Sequence, residues 1–336
     1  MDLTKVLFSL SEACGVSGDE RESAECAARW LLPLVDEVKT DVLGNVVGYR
    51  KCGREGAKTL LLDAHLDEVG LMVTGNDGGL LKFALCVGGV DERMLPGLRV
   101  KVLAKEPFYG VISCPEGEAG KSISAEELRI DCGFSEEQAG EIPVGTRVAY
   151  GTKPYQNGNR VFGKSMDDRA CFAAILRALE LTKDEDLPVN VAVLGSVQEE
   201  TGGIGALVGT FGVRPDAALV VDVTFGDSPD SPKNHSKALG SGNAIGFSPV
   251  LDRKLTHLLR KLAVEHNIPY TSEIMEGSTG TNSMHTQIAG DGVPSVLISL
   301  PQRYMHTPVE CVDLRDVEAI AQLIALFLRN YQEVAS

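Results

Sequence analysis

Residue types that bind metal ions occur at five places in this sequence, most of them directly after an aliphatic stretch. They are DAHLD at 63–67, DDR at 167–169, QEE at 198–200, Asp222 at the end of ALVVD, and His306 beyond SVLISL. Because ligands of an open α/β sheet bind beyond the carboxyl ends of its strands, side chains that follow different strands can meet at one point. The spacing therefore predicts a single centre rich in carboxylates and imidazoles.

Two divalent ions held side by side would account for this choice of residue types. Ions about 3.5–4 Å apart need a bridging carboxylate, with imidazole and carboxylate ligands on each side. The sequence supplies two imidazoles and three carboxylates, namely His65, Asp167, Glu200, Asp222 and His306. Because a water molecule between two such ions loses its proton readily, the pattern favours hydrolysis.

Two further acidic positions complete the predicted centre. One carboxylate of the pair Glu199 and Glu200 is left without a metal, and we predict that it acts as general base and later as proton donor. At this point either glutamate fits that role. Asp67 follows His65 by two residues, so its carboxylate can accept the second ring N–H of that histidine.

Each of these residues also has an ordinary structural explanation. An aspartate at the end of a strand is often a turn former or a helix cap. A single histidine is more often structural than a ligand, and Glu199 and Glu200 alone would fit a solvated turn. Two acids after one aliphatic strand, with four similar places elsewhere, are harder to explain as surface charge. The combination therefore favours a metal-dependent hydrolase.

Composition restricts the partners and the compartment. The 336 residues include 47 acidic and 32 basic side chains, and a net charge of −15 disfavours binding to nucleic-acid phosphates. No apolar stretch approaches the ~20 residues of a membrane-spanning helix. Lys5 and Glu12 interrupt what would otherwise suit a signal peptide, and the eight cysteines contain no C-x-x-C pair. We expect a cytoplasmic protein without nucleic-acid or membrane partners.

The periodicity of apolar residues predicts an α/β protein with an all-β insertion. Two helices over 2–36 precede strands at 42–49 and 59–63, and strands later alternate with helices from 169 to 331. Between them, short strands at 70–74, 98–103, 110–113 and 147–150 are separated by turn residues. We predict a mainly parallel-sheet domain built from 1–66 and 163–336, interrupted by a small barrel or sandwich at 67–162.

The motifs, taken in order, resemble those of the tetrahedral aminopeptidases of metallopeptidase family forty-two. The matching segments are DAHLDEVG (63–70), DDRA (167–170), QEETGGIGA (198–206), VVDVT (220–224) and YMHTPVE (304–310). This family includes glutamyl and deblocking aminopeptidases and some proteins once labelled endoglucanases. Asp167 lies 102 positions after His65, which leaves room for an extra domain there, as in this family, whereas related deacylases carry theirs later.

The resemblance implies specific roles. His65 and Asp222 would hold one metal and Glu200 and His306 the other, with Asp167 as the bridge and Glu199 as the catalytic base. Members of the family are typically zinc- or cobalt-dependent and remove N-terminal residues from peptides. They commonly form dimers through the inserted barrel and then a hollow tetrahedral dodecamer. We therefore expect two divalent ions per chain, peptide substrates and a homo-oligomer.

Three other functions remain to be separated from this one. Another dinuclear-metal amidohydrolase or deacylase would act on a blocked amine rather than a free one. A glycosidase would use paired acids, which must lie about 5–9.5 Å apart across a sugar. A noncatalytic binding or assembly protein would keep the metal site for structural reasons.

Overall fold

The structure is a computed structural model that describes residues 1–113, 124–229, 231 and 236–331, without the side chains of residues 85 and 86. The strands are β1 (Glu37–Thr40), β2 (Val46–Arg50), β3 (Thr59–His65), β4 (Gly70–Asp77), β5 (Leu80–Val87), β6 (Arg99–Val102), β7 (Phe108–Ile112), β8 (Ile130–Asp131), β9 (Arg147–Tyr150), β10 (Tyr155–Asn157), β11 (Arg160–Gly163), β12 (Asn190–Ser196), β13 (Ala217–Phe225), β14 (Asn243–Phe247), β15 (Tyr270–Ile274), β16 (Ser295–Gln302) and β17 (Glu310–Asp313). The α-helices are α1 (Leu3–Glu12), α2 (Arg21–Leu31), α3 (Glu136–Gly140), α4 (Met166–Leu181), α5 (Ile204–Val213), α6 (Arg253–Glu265), α7 (Ser283–Thr286) and α8 (Leu314–Asn330).

The largest sheet has eight strands in the order β1-β2-β12-β3-β13-β16-β14-β15. Its four central strands, from β12 to β16, are parallel. Antiparallel pairings join β2 to β12 and β14 to β16. These central strands are aliphatic runs buried on both faces, which is the composition expected of a parallel sheet covered on both sides. The predicted mainly parallel α/β fold is confirmed.

Helices cover the two faces of this sheet with separate apolar contacts. Alternate residues of β3 point to opposite faces, so Leu60 and Leu62 join the large core built with α1, α2, α4, α6 and α8. Leu61 instead packs in a smaller cluster with Leu194. Gly209 of α5 lies next to Leu194, so α5 covers this second face of the sheet. None of the helices in the described parts of the chain combines the length and apolar character needed to cross a bilayer.

The inserted segment contains a closed barrel in the order β4-β5-β8-β7-β6-β9. Its interior is a second apolar core of alternating strand residues, among them Leu71, Val100, Ile112 and Val148. Closure leaves no unpaired strand edge, so a small sheet of this kind can bury its own core. The barrel contains two strands, β5 and β8, beyond the four predicted from the sequence. A separate antiparallel sheet joins β10, β11 and β17.

One strand prediction was wrong in its bounds. The sequence predicts a strand over 42–49, whereas the structure has the hairpin of β1 and β2 with a turn between them. The carboxylate of Asp41 accepts hydrogen bonds from the backbone N–H groups of Leu43, Gly44 and Asn45, at 2.9, 3.1 and 3.1 Å. These local bonds compete with strand pairing, so Val42 lies exposed in the turn despite its β-branched side chain.

A buried ion-pair network ties the segment that follows β3 to the segment that precedes α4. Glu68 follows β3, while Lys164 and Ser165 precede α4. The Lys164 ammonium lies 2.7 Å from one carboxylate oxygen of Glu68, and Arg169 donates to the other at 3.3 Å. Ser165 and the backbone N–H of Gly15 also donate to this carboxylate. Glu68 thereby supplies a negative charge to two buried cations beside the residues predicted to form the centre.

We expect Glu68→Gln to lower the free energy of unfolding by roughly 3–5 kcal/mol, because it leaves two buried cations without their counter-charge. Urea denaturation followed by circular dichroism measures the change. Glu318→Gln is the matched control, since its partner Arg177 is partly exposed and a surface pair contributes about 1 kcal/mol or less. Equal effects of the two substitutions would contradict the role assigned to the buried network.

Candidate metal centre

The register of the parallel strands brings the predicted ligands His65 and Asp222 side by side. Val220 of β13 pairs with Asp63 of β3, so Asp222 and His65, each two residues further on, lie at the same level. On the other side of β3, Ser196 of β12 pairs with His65. Glu199 and Glu200 follow shortly after the end of β12, so they emerge at the same edge of the sheet.

The structure brings together all five residues predicted as metal ligands, in two groups. His65, Asp167 and Asp222 form the first, and Asp167, Glu200 and His306 the second, with one potential ligand atom of each residue within 4.8 Å of the others. Asp167 belongs to both. Its Oδ1 lies 3.1 Å from Nε2 of His65, and its Oδ2 lies 3.4 Å from Nε2 of His306. Each oxygen of this carboxylate therefore faces a different histidine.

The start of α4 places Asp167 between the two groups. Asp167 and the following Asp168 have non-helical backbone angles, and the peptide bond between them is cis. Asp168 has a different partner, because its Oδ2 accepts the backbone N–H of His65 at 3.1 Å. The two aspartates of the DDR segment thus have different surroundings: one faces both histidine rings, and the other holds the backbone at the end of β3.

Asp67 connects His65 to the turn that carries the two glutamates. The Nδ1 atom of His65 lies 3.2 Å from the carbonyl oxygen of Asp67 and 3.4 Å from its Oδ1. The same carboxylate accepts the backbone N–H groups of Glu199 and Glu200 at 3.0 and 3.2 Å, and the hydroxyl of Ser17 at 2.5 Å. With Nδ1 directed to Asp67, the Nε2 atom of His65 is directed to Asp167.

Glu199 lies beside the centre but belongs to neither group of ligand atoms. Its Oε2 is 4.0 Å from Nε2 of His65, and 17% of its side chain is exposed. Burial, together with the negative charges of Asp67 and Asp167, raises the pKa of Glu199 to about 7. Glu200 is more enclosed, with 6% of its side chain exposed and its Oε2 3.3 Å from Nε2 of His306. The two adjacent glutamates therefore differ in access to solvent and in partner.

The electrostatics of the centre fit divalent cations. Burial raises the pKa values of Glu200 and Asp222 well above the usual carboxyl range, and the charge of Asp167 adds to both shifts. Burial also opposes ionisation of Asp167, but hydrogen bonds with His306 and His65 outweigh it and lower its pKa. Buried carboxylates this close need positive charge to remain ionised, and oxygen and imidazole donors suit a divalent ion. Each group contains one imidazole and two carboxylates.

One residue that was not predicted from the sequence supports both groups. Glu310 is buried, and its carboxylate accepts the backbone N–H of His306 at 2.9 Å and that of Asp167 at 3.1 Å. It is the last residue of the segment YMHTPVE, four residues after His306. An acidic residue four positions after the candidate ligand His306 was the available signal in the sequence. Its partner Asp167 lies 143 positions earlier, which no local pattern reveals.

Comparison with known proteins agrees with this architecture. A family model described as the M42 glutamyl aminopeptidase matches residues 44–323. An aminopeptidase from the archaeon Desulfurococcus kamchatkensis superposes with a TM-score of 0.91 at 33% identity, covering 99% of this chain and 98% of that one. The TET aminopeptidase from Thaumarchaeota archaeon SCGC AB-539-E09 gives 0.89 at 30% identity, covering 98% and 97% of the two chains.

A third similar structure is the TET1 peptidase of Pyrococcus horikoshii, described as assembling into a tetrahedron or a large octahedral shell. It has a TM-score of 0.85 at 28% identity, with 97% of this chain and 99% of that one covered. The resemblance noted from the five motifs therefore extends over nearly the whole fold. From the family match and this agreement in fold, the chain belongs to the M42 aminopeptidase family and is a peptidase.

Proposed function

We propose that this peptidase is a metal-dependent aminopeptidase that removes residues from the N-terminus of peptides. The observation that carries the proposal is the sharing of Asp167 by two groups of ligand atoms. A carboxylate with one oxygen toward each group suits a bridge between two ions, and paired ions of this kind occur in aminopeptidases. The family match supports the peptidase part of the proposal.

His65 and Asp222 would hold one ion, Glu200 and His306 the second, and Asp167 both. Zinc and cobalt are the ions we expect, as the resemblance to the family implies, and imidazole and carboxylate ligands are compatible with both. When bound, two such ions would polarise a peptide carbonyl and lower the pKa of a water molecule. Asp67 would keep the ring of His65 oriented through Nδ1, which leaves the Nε2 atom available as a metal ligand.

Glu199 is the proposed general base. Its carboxylate is partly exposed beside the two groups, so a substrate can approach it. In the proposed reaction it takes the proton of the attacking water and then delivers that proton to the amine that leaves. The turn held by Asp67 positions Glu199 and Glu200 together.

Hydrolysis of chromogenic aminoacyl substrates tests the proposal. Each substrate is offered with a free and an N-acetylated amine, to protein reloaded with zinc or cobalt. We expect cleavage of the free-amine set alone, abolished by a chelator and restored by the metal. Cleavage of the acetylated set alone would favour a dinuclear-metal deacylase, and silence on both sets would favour a noncatalytic binding protein.

A glycosidase is separated from a peptidase by a second assay, on cellulose. Such an enzyme needs two free carboxyl groups about 5–9.5 Å apart across the sugar, and metal ligation would occupy most of the acids gathered here. Cleavage of cellulose that survives chelation would support it and would contradict the peptidase mechanism.

We also propose a homo-oligomer in which the segment 67–162 serves as the dimerisation domain and 1–66 with 163–336 as the catalytic domain. The self-contained core of the barrel, which β4 to β9 enclose, supports the barrel as a separate unit within this division. The shell described for the similar Pyrococcus horikoshii peptidase supports assembly of dimers into a tetrahedral dodecamer. Light scattering should give a molar mass far above the 35.9 kDa of one chain, and a monomer at micromolar concentration would overturn the assembly. A cytoplasmic location stays a prediction.

A further inference from the structure

Two glycines of the inserted barrel lie against the second group of predicted ligands. Gly88 and Gly89 directly follow β5. A Cβ atom on Gly89 would lie 2.7 Å from Nδ1 of His306, and one on Gly88 would lie 3.3 Å from Oε2 of Glu200. Non-bonded heavy atoms pack best about 3.5–4.0 Å apart, so a residue without a side chain is needed to bring the backbone this close to His306.

The contact between Gly89 and His306 is polar. Burial opposes the charge of the His306 ring, but hydrogen bonds to Asp167 and to the backbone of Gly89 raise its pKa. A hydrogen bond that favours the charged ring is one that the ring donates, so the carbonyl oxygen of Gly89 is the acceptor. Nδ1 is the ring atom closest to Gly89. The opposite ring atom, Nε2, lies 3.4 Å from Asp167 and 3.3 Å from Glu200.

The two histidines of the centre thus receive the same kind of support from different parts of the chain. Nδ1 of His65 faces Asp67, which precedes the barrel, whereas Nδ1 of His306 faces Gly89, which lies between the barrel strands β5 and β6. A histidine that binds a metal usually donates its other ring N–H to a carboxylate or a backbone carbonyl, and this bond fixes the tautomer and the orientation of the ring. The barrel therefore orients the ring of His306.

The backbone of His306 also contacts the barrel. Its φ of 62° lies in the left-handed region, which is uncommon for residues other than glycine. The N–H of His306 donates to Glu310, and the hydroxyl of Tyr150 on β9 lies 3.5 Å from its carbonyl oxygen. Tyr150 packs in the barrel core and is 3% exposed. Two separate barrel segments thus meet the ring and the backbone of one predicted ligand.

We infer that Gly89 is a positioning residue for His306, and so for the metal ion of the second group. This inference rests on the proposed function, because it takes the two-ion centre as given. Gly89 acts through its carbonyl oxygen and through its lack of a Cβ atom, which together keep Nε2 directed toward Asp167 and Glu200. A side chain at position 89 would displace the ring and turn Nε2 away from them. The inserted barrel is thereby part of the metal centre.

Calorimetric titration of metal-free protein with zinc tests the inference. Gly89→Ala should weaken binding of the second ion by about 10–100-fold, the usual effect of changing a group that supports a ligating histidine, and leave the first ion unaltered. Gly89 is exposed and its φ lies outside the left-handed region, so alanine should fold normally, which circular dichroism checks. Gly140→Ala on α3 is the matched control, because a Cβ atom there would lie 3.8 Å from Nδ2 of Asn76, an ordinary contact.

Two double variants identify the ion that is lost. Asp222→Asn weakens the first group, so combining it with Gly89→Ala should leave no tightly bound ion. Glu200→Gln weakens the second group, so combining it with Gly89→Ala should leave one ion, as in Glu200→Gln alone. Loss of the remaining ion in this second pair would show a general disturbance of the centre and would contradict selective positioning.

Tyr150→Phe is an independent variant, since it removes the hydroxyl beside His306 and keeps the aromatic ring in the barrel core. It should weaken the same ion, whereas Tyr109→Phe, at an exposed position on β7, should have no effect. Wild-type affinity for both ions in Gly89→Ala would overturn the inference and leave the aminopeptidase function standing. A wild-type protein that binds fewer than two ions would instead overturn the dinuclear centre on which the proposed function depends.

Discussion

Glu199→Gln should lower kcat by about 10²–10⁴-fold, because it removes the carboxylate that is proposed to transfer the proton. The glutamine is nearly isosteric, and Glu199 belongs to neither group of predicted ligand atoms. The variant should therefore bind as much zinc as the wild type. Steady-state kinetics on the best aminoacyl substrate and elemental analysis of the same preparation measure the two quantities together.

The control for this substitution is Glu25→Gln, which changes an exposed glutamate on α2 and should leave both kcat and metal content unaltered. A large loss of zinc in Glu199→Gln would instead assign Glu199 to metal binding. If a Glu199→Gln preparation that is free of contaminating peptidase still has the kcat of the wild type, Glu199 is excluded as the base.

Asp167→Asn should cause the other large effect. Asparagine is neutral and cannot place an ionised oxygen toward each group, so we expect both ions to bind more weakly. Lewis-acid stabilisation contributes several kcal/mol to such reactions, so kcat/KM should fall by roughly 10³-fold or more. Metal content after dialysis against micromolar free zinc should decrease from about two ions per chain to fewer than one.

Asp222→Asn is the matched comparison, because Asp222 belongs to only one of the two groups. It should weaken the ion held with His65 and spare the group of Glu200 and His306, giving about one ion per chain. Two ions retained by Asp167→Asn with wild-type affinity would exclude the bridging role. A wild-type protein that saturates at one ion would exclude the dinuclear centre itself.

The positions of the predicted ligands along the chain were accessible from the sequence because strands have a local signature. The aliphatic runs before Asp63 and Asp222 predicted parallel strands, and parallel strands end at a common edge. The five motifs also indicated the family, which the comparisons confirmed. The turn at Asp41 shows where such reasoning is weakest, because its side-chain hydrogen bonds override the β-propensity of Val42.

Residue types, strand ends and chain order were thus determined by the sequence by itself, and from them the fold class and the candidate centre followed. Only the tertiary structure decided how the side chains pair: Glu310 with Asp167, Glu68 with Lys164, and Glu273 with Thr224. These partners are 143, 96 and 49 positions apart. Hydrophobic period and turn chemistry act over a few residues, whereas contacts across such separations depend on how whole elements pack. The orientation of each carboxylate in this protein is therefore a property of the packed sheet and not of any segment alone.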